Sequence, residues 1–90
     1  MSMKALVLYQ PKSEHATTVE SYVREFVRRT NKMLGLIDAE SKHGVQLVEL
    51  YDVVRYPAVL AIADDGQLLN LWLGEPLPLI DDVAAYLAQS

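Results

Sequence analysis

Ser13-Glu14-His15 places a hydroxyl and an imidazole two residues apart. A serine becomes a nucleophile when a neighbouring base takes its proton, and that base needs a third group to orient it. Residues two apart at a helix start point in different directions, and no orienting carboxylate can be assigned from the sequence. Ser13 is therefore expected to cap a helix and His15 to be an exposed polar residue. His15 and His43 have no further ligand at useful spacing, so no metal site is expected. Asp64-Asp65 and Asp81-Asp82 fit a turn and the first turn of a helix, where carboxylates are locally favourable. Lys4 and Lys12 lack the glycine-rich loop of a phosphate cradle. There is no cysteine among the 90 residues, which removes disulfides, thiolate catalysis, iron–sulfur clusters and cysteine-based zinc together. No catalytic residue and no cofactor is assigned.

The chain is the size of one domain, covering residues 1–90, and its core must be modest. Hydrophobic residues make up 51% and charged ones 22%, the balance of a folded protein rather than a disordered one. A net charge of -4 and a pI near 4.9 argue against a nucleic-acid partner, which needs a clustered basic face. No stretch is long enough to span a membrane, and the apolar run at 5–9 has no signal-peptide pattern, so a cytoplasmic address is expected. Met1-Ser2 leaves open whether Met3 is the natural start.

The elements that must position any site follow from periodicity. Residues 4–10 are a continuous apolar run, read as a strand buried on both faces. From Ala16 the positions 16, 19, 23, 26, 27 and 30 have helical spacing, with Glu20–Arg24 and Glu25–Arg29 expected to pair on the outer face. A short strand is expected over 34–38. A second helix, capped by Ser41, runs to about 51 with Leu47, Leu50 and Tyr51 turned inward; Gly44 should weaken it. Strands over 58–63 and 68–73 flank Asp64-Asp65-Gly66-Gln67, a hairpin signal. Pro76 and Pro78 lead into a last helix with a stripe at Ile80, Val83, Ala84 and Leu87. The order is β-α-β-α-β-β-α: an α/β fold with a four-stranded mixed sheet flanked by helices on both faces.

That order, together with Tyr51-Asp52-Val53, Tyr56-Pro57-Ala58, Asp65-Gly66 and Leu73-Gly74, resembles the thioredoxin fold over nearly the whole chain. The resemblance implies a cis Tyr56–Pro57 bond and places the family's two redox cysteines at Ser13 and Ala16. The family's buried acid falls on Val7. A hydroxyl cannot replace a thiolate in attack on sulfur, so these residues are expected to carry no thiol–disulfide chemistry.

The family also implies that Tyr9, Gln10, Pro11, Ser13, Tyr56, Pro57 and Gly74 meet at one end of the sheet, where an extended peptide bonds to the backbone before the proline. The expected function is a protein- or peptide-binding adaptor of unknown partner. The alternative is a small glutathione-binding or transferase-type enzyme centred on Ser13. Trp72 lies on an apolar edge strand, which makes a homodimer through that edge a further expectation; the competing reading packs Trp72 beneath a helix.

Overall fold

The computed structural model describes residues 3–88; Met1 and Ser2, whose status as start residues the sequence leaves open, lie outside them. The strand β1 (Lys4–Tyr9) is followed by α1 (Ala16–Thr30), β2 (Gly35–Asp38), α2 (Lys42–Tyr51), β3 (Ala58–Ile62), β4 (Leu68–Leu73) and α3 (Ile80–Leu87). The sheet order is β2-β1-β3-β4. β1 runs parallel to β2, and α1 supplies the crossover that a parallel pair requires. β3 is antiparallel to both β1 and β4. The expected order and mixed sheet are what the molecule has.

The strands alternate between two buried faces, which is why β1 and β3 read as unbroken apolar runs. Ala5, Val7, Tyr9 and Val59 face α1 and α3, where Val19, Phe26, Val83 and Leu87 meet them. Leu6, Leu8, Ala58, Leu60 and Ile62 face Leu47 of α2 and Val53 just beyond it. Phe26 is fully buried, and removing a side chain of that kind from water contributes about 1.5–3 kcal/mol. Tyr22 ties α1 to the segment before α3 by donating its hydroxyl to the Pro78 carbonyl at 2.8 Å. Burial, with Asp82 second, pushes its phenol up to about 12.

Several local expectations change. Leu50 is 70% exposed: it lies outside the stripe that Leu47 sets toward the sheet. The outer pairs of α1 also differ. Glu25 pairs with Arg28 one residue closer than expected, Arg29 reaches across to Asp81 of α3 at 3.6 Å, and Arg24 donates to Ser21. Arg29 has a partner off its own helix, so the i,i+4 spacing is not used. The Tyr56–Pro57 bond is cis, and so is Glu75–Pro76, which had no counterpart among the sequence expectations.

The turns use their residues as expected. Ser41 caps α2 by accepting from the Gly44 amide at 3.0 Å. Asp52 closes the same helix in the left-handed conformation, φ 57°, with its amide on the Val48 carbonyl. Gly66 turns the β3–β4 hairpin at φ 91°.

Gly44 is more than a weak helix former. A Cβ there would stand 2.0 Å from the Asp38 carbonyl oxygen and 2.9 Å from the Ala39 Cα. The first turn of α2 therefore packs on the end of β2 at a distance only glycine permits. Gly44→Ala is expected to shift the denaturant midpoint downward, with a loss of at least about 1–3 kcal/mol. An unchanged midpoint would mean that α2 does not dock on β2 in this way.

Candidate functional site

Four chain segments reach the same end of the sheet. Register puts Leu8 opposite Ala58 and Tyr9 beside Asp38, so the residues that follow β1 emerge next to those that precede β3. Gly74, at the end of β4, donates its amide to the Pro57 carbonyl at 2.8 Å. Gln10, Tyr56, Pro57 and Gly74 are thereby brought together, with residues 10–15 forming a turn beside them.

That turn is held by its own hydrogen bonds. The Gln10 carbonyl accepts from the Ser13 amide at 3.0 Å and from the Ser13 hydroxyl at 2.6 Å. The Gln10 amide donates to Nε2 of His15 at 3.2 Å. This corrects the role expected of Ser13: α1 begins at Ala16, its cap position is His15, and no side chain caps it. Ser13 closes the preceding turn instead. His15 is half-buried rather than exposed, and its imidazole accepts from Gln10. Serine and histidine each bond to Gln10, so the turn holds no nucleophile–base pair.

The two tyrosines do different things. Tyr9 is buried in the core against α1 and α3, so its ring supports the site from beneath. Burial raises its phenol, with Glu20 and then Asp38 opposing ionisation further. Tyr56 is half-buried and packs on the α2 side, next to the cluster of Leu8, Val53 and Ala58. Among the described residues, neither the amide nor the carbonyl of Tyr56 has a hydrogen-bond partner. Buried or half-buried backbone groups are normally satisfied, by protein or by solvent; these two find no protein partner among the described residues.

Beside them lies a cavity of about 290 Å³, lined by Gln10, Pro11, Lys12, Ser13, Asp38 and Glu40. It opens on the β2 side of the turn, away from β4. On the other side the Arg55 guanidinium lies over Gly74, with Nη2 2.7 Å from the point a Cβ would occupy. Gly74 has φ 75°, so both its conformation and this close approach call for glycine. Asp38, Glu40 and Arg55 were not among the expected site residues. Arg55 had a signal, since it immediately precedes Tyr56-Pro57; the two acids had none, because only the β1–β2 register carries them there. Among the described residues, no group of three acidic or histidine side chains could hold a metal.

No family model matches the chain, and no curated protein matches it. Solved structures do. A reduced thioredoxin pre-protein from Schistosoma mansoni superposes with a TM-score of 0.72 at 12% identity, covering 98% of this chain and 78% of that one. Mitochondrial thioredoxin 3 of Saccharomyces cerevisiae, in oxidised form, gives 0.70 at 10% identity over 99% and 79%. The germline-specific thioredoxin Deadhead from the fruit fly Drosophila melanogaster gives 0.69 at 18% identity over 98% and 80%. The fold is thioredoxin-like. This thioredoxin-like domain carries Ser13 in the turn and Ala16 at the start of α1, where the resemblance places cysteines, and buried Val7 on its first strand.

The hydrogen bond from Gln10 fixes the His15 tautomer, because an accepting Nε2 requires the proton on Nδ1. Nitrogen-15 spectra of the neutral ring are expected to show protonated Nδ1 and unprotonated Nε2. His15→Ala should cost about 0.5–1.5 kcal/mol and broaden or shift the Gln10 and Ser13 amides. A ring protonated on Nε2 would contradict the contact.

Proposed function

We propose that this thioredoxin-like domain binds an extended protein or peptide segment at the sheet end formed by Gln10, Pro11, Ser13, Tyr56, Pro57 and Gly74, without redox chemistry of its own. The observation that carries the reading is the unpartnered Tyr56 backbone beside a turn in which Gln10 is bonded to Ser13 and His15. An extended chain laid across it gains two main-chain hydrogen bonds without any catalytic group. Tyr9 acts from below as a support and makes no contact in this scheme. The cavity next to Pro11 and Ser13 receives one side chain of the bound segment, and Asp38 with Glu40 favours a basic one there. Arg55 offers the opposite charge on the Gly74 side.

Thiol–disulfide exchange has no thiol to proceed through in these residues. A glutathione-directed activity at Ser13 is the weaker reading, since that hydroxyl already donates to Gln10. Dimerisation through β4 is the less favoured reading as well. Trp72 packs on the α1 and α3 side and meets Tyr86 edge-on at 5.7 Å, so the ring is partly covered within one chain. The Leu71 amide donates to the Asn70 side chain, and a register irregularity sits between Ala61 and Ile62; both blunt β4 as a template for another strand. A cytoplasmic setting suits the cysteine-free composition. Among the described residues no helix is long and apolar enough to cross a membrane.

The test is a peptide array followed by titration of the best binders against labelled protein. Amide shifts should centre on Gln10, Ser13, Tyr56 and Gly74, and N-methylation of the peptide residue facing Tyr56 should weaken binding by about tenfold or more. Arrays without a binder, or binders indifferent to N-methylation, would overturn the proposal. Saturable glutathione shifts at Ser13 and Tyr56 would favour the enzyme reading instead.

A further inference from the structure

A second cavity lies at the other end of the sheet. Its volume is about 470 Å³, within the range of about 300–1,000 Å³ common for small-ligand sites. Lys4 opens β1 six residues before Gln10, so this cavity is about 20 Å from the Tyr56 end at strand rise. The two sites do not share a residue.

The wall is built in two parts. Its apolar part comes from Met3, Ala5, Leu6, Ile37 and Leu87, together with Met33 at the rim. Met33 is 79% exposed, an unusual amount of thioether to leave in water, and methionine adapts readily to an irregular apolar ligand. Gly35 sits in the same wall, and its missing side chain leaves the space open above the Leu6 Cβ, which a Cβ on Gly35 would meet at 3.2 Å. The polar part holds two lysines, Lys4 from β1 and Lys32 from the α1–β2 connection, with His43 from the first turn of α2 beside them. Among the described residues no acid lines the cavity, although the chain has 12 acidic residues against 8 basic ones. Neither lysine side chain has an ion-pair partner among the described residues.

We infer that this cavity binds a small amphipathic anion, an aliphatic carboxylate whose chain lies on the methionine and leucine wall and whose head is held between Lys4 and Lys32. Two unpaired ammonium groups at the mouth of an apolar pocket complement that charge distribution, and an acyl tail shields the surface that Met33 now leaves in water. A phosphate-only ligand would leave the apolar wall uncovered, and the wall has no loop of convergent backbone amides for one. An anionic membrane is a poor occupant for a chain of net charge -4.

Decanoate, titrated below its micelle concentration into labelled full-length chain, is the direct probe. Saturable amide shifts are expected at Lys4, Lys32, Gly35 and His43, with the Gln10, Tyr56 and Gly74 signals unmoved. Octanoate should bind roughly tenfold more weakly than decanoate, having two fewer methylenes to bury. The double variant Lys4→Gln, Lys32→Gln removes two exposed charges and should keep the wild-type spectrum elsewhere. Decanoate affinity should fall at least about fivefold in that variant, while binding of neutral decanol stays unchanged. Non-saturable shifts, or equal decanoate affinity with and without the lysines, would overturn the assignment. So would shifts centred on the Tyr56 end.

Discussion

The antiparallel pairing of β1 with β3, from Lys4 opposite Ile62 to Leu8 opposite Ala58, is the constraint around which the rest is arranged. Both strands are central in the sheet and both are covered on two faces. Their side chains alternate between the α1/α3 layer and the α2 layer, so each helix must present one apolar stripe to a fixed partner. The same pairing decides what lies at each end of the sheet. It sets the turn after Tyr9 beside the Tyr56-Pro57 step, and it leaves Lys4 at the opposite rim.

Much of this was legible from residue types. Unbroken Val, Leu and Ile runs signalled strands buried on both faces, and Ser41, Gly66 and the Ile80-Val83-Leu87 stripe located a cap, a turn and a helix that the structure contains. What was not legible depends on distance in space. Ser13 looked like a helix cap because its type suits that position, yet the Gln10 carbonyl is closer and takes the hydroxyl. Arg29 had a suitable partner four residues back, but α3 brings Asp81 within reach. Gly44 looked like a defect until the β2 terminus was seen to lie against it. In each case a local propensity yields to a tertiary contact.

The candidate site follows the same division. Gln10, Tyr56 and Gly74 could be grouped from the resemblance, and the strand register places them together. Tyr9 could not be told from a rim residue in sequence, since an aromatic at a strand end serves either purpose; only the alternation along β1 sends its ring into the core. Arg55, Asp38 and Glu40 give the site its charge pattern, and none belongs to a motif. A thioredoxin-like frame without cysteine thus has a shaped, polar sheet end, and the recognition we propose for it rests on backbone groups and peripheral charges.

The proposed recognition depends on the state of one backbone position, and amide hydrogen exchange in the unbound protein reports it directly. The Gly74 amide, bonded to the Pro57 carbonyl, and the amides in the β1–β3 ladder should exchange slowly. The Tyr56 amide should exchange at close to the rate of an unprotected peptide. Protection of Tyr56 comparable to that of the central strands would show its backbone already engaged, and would contradict the account.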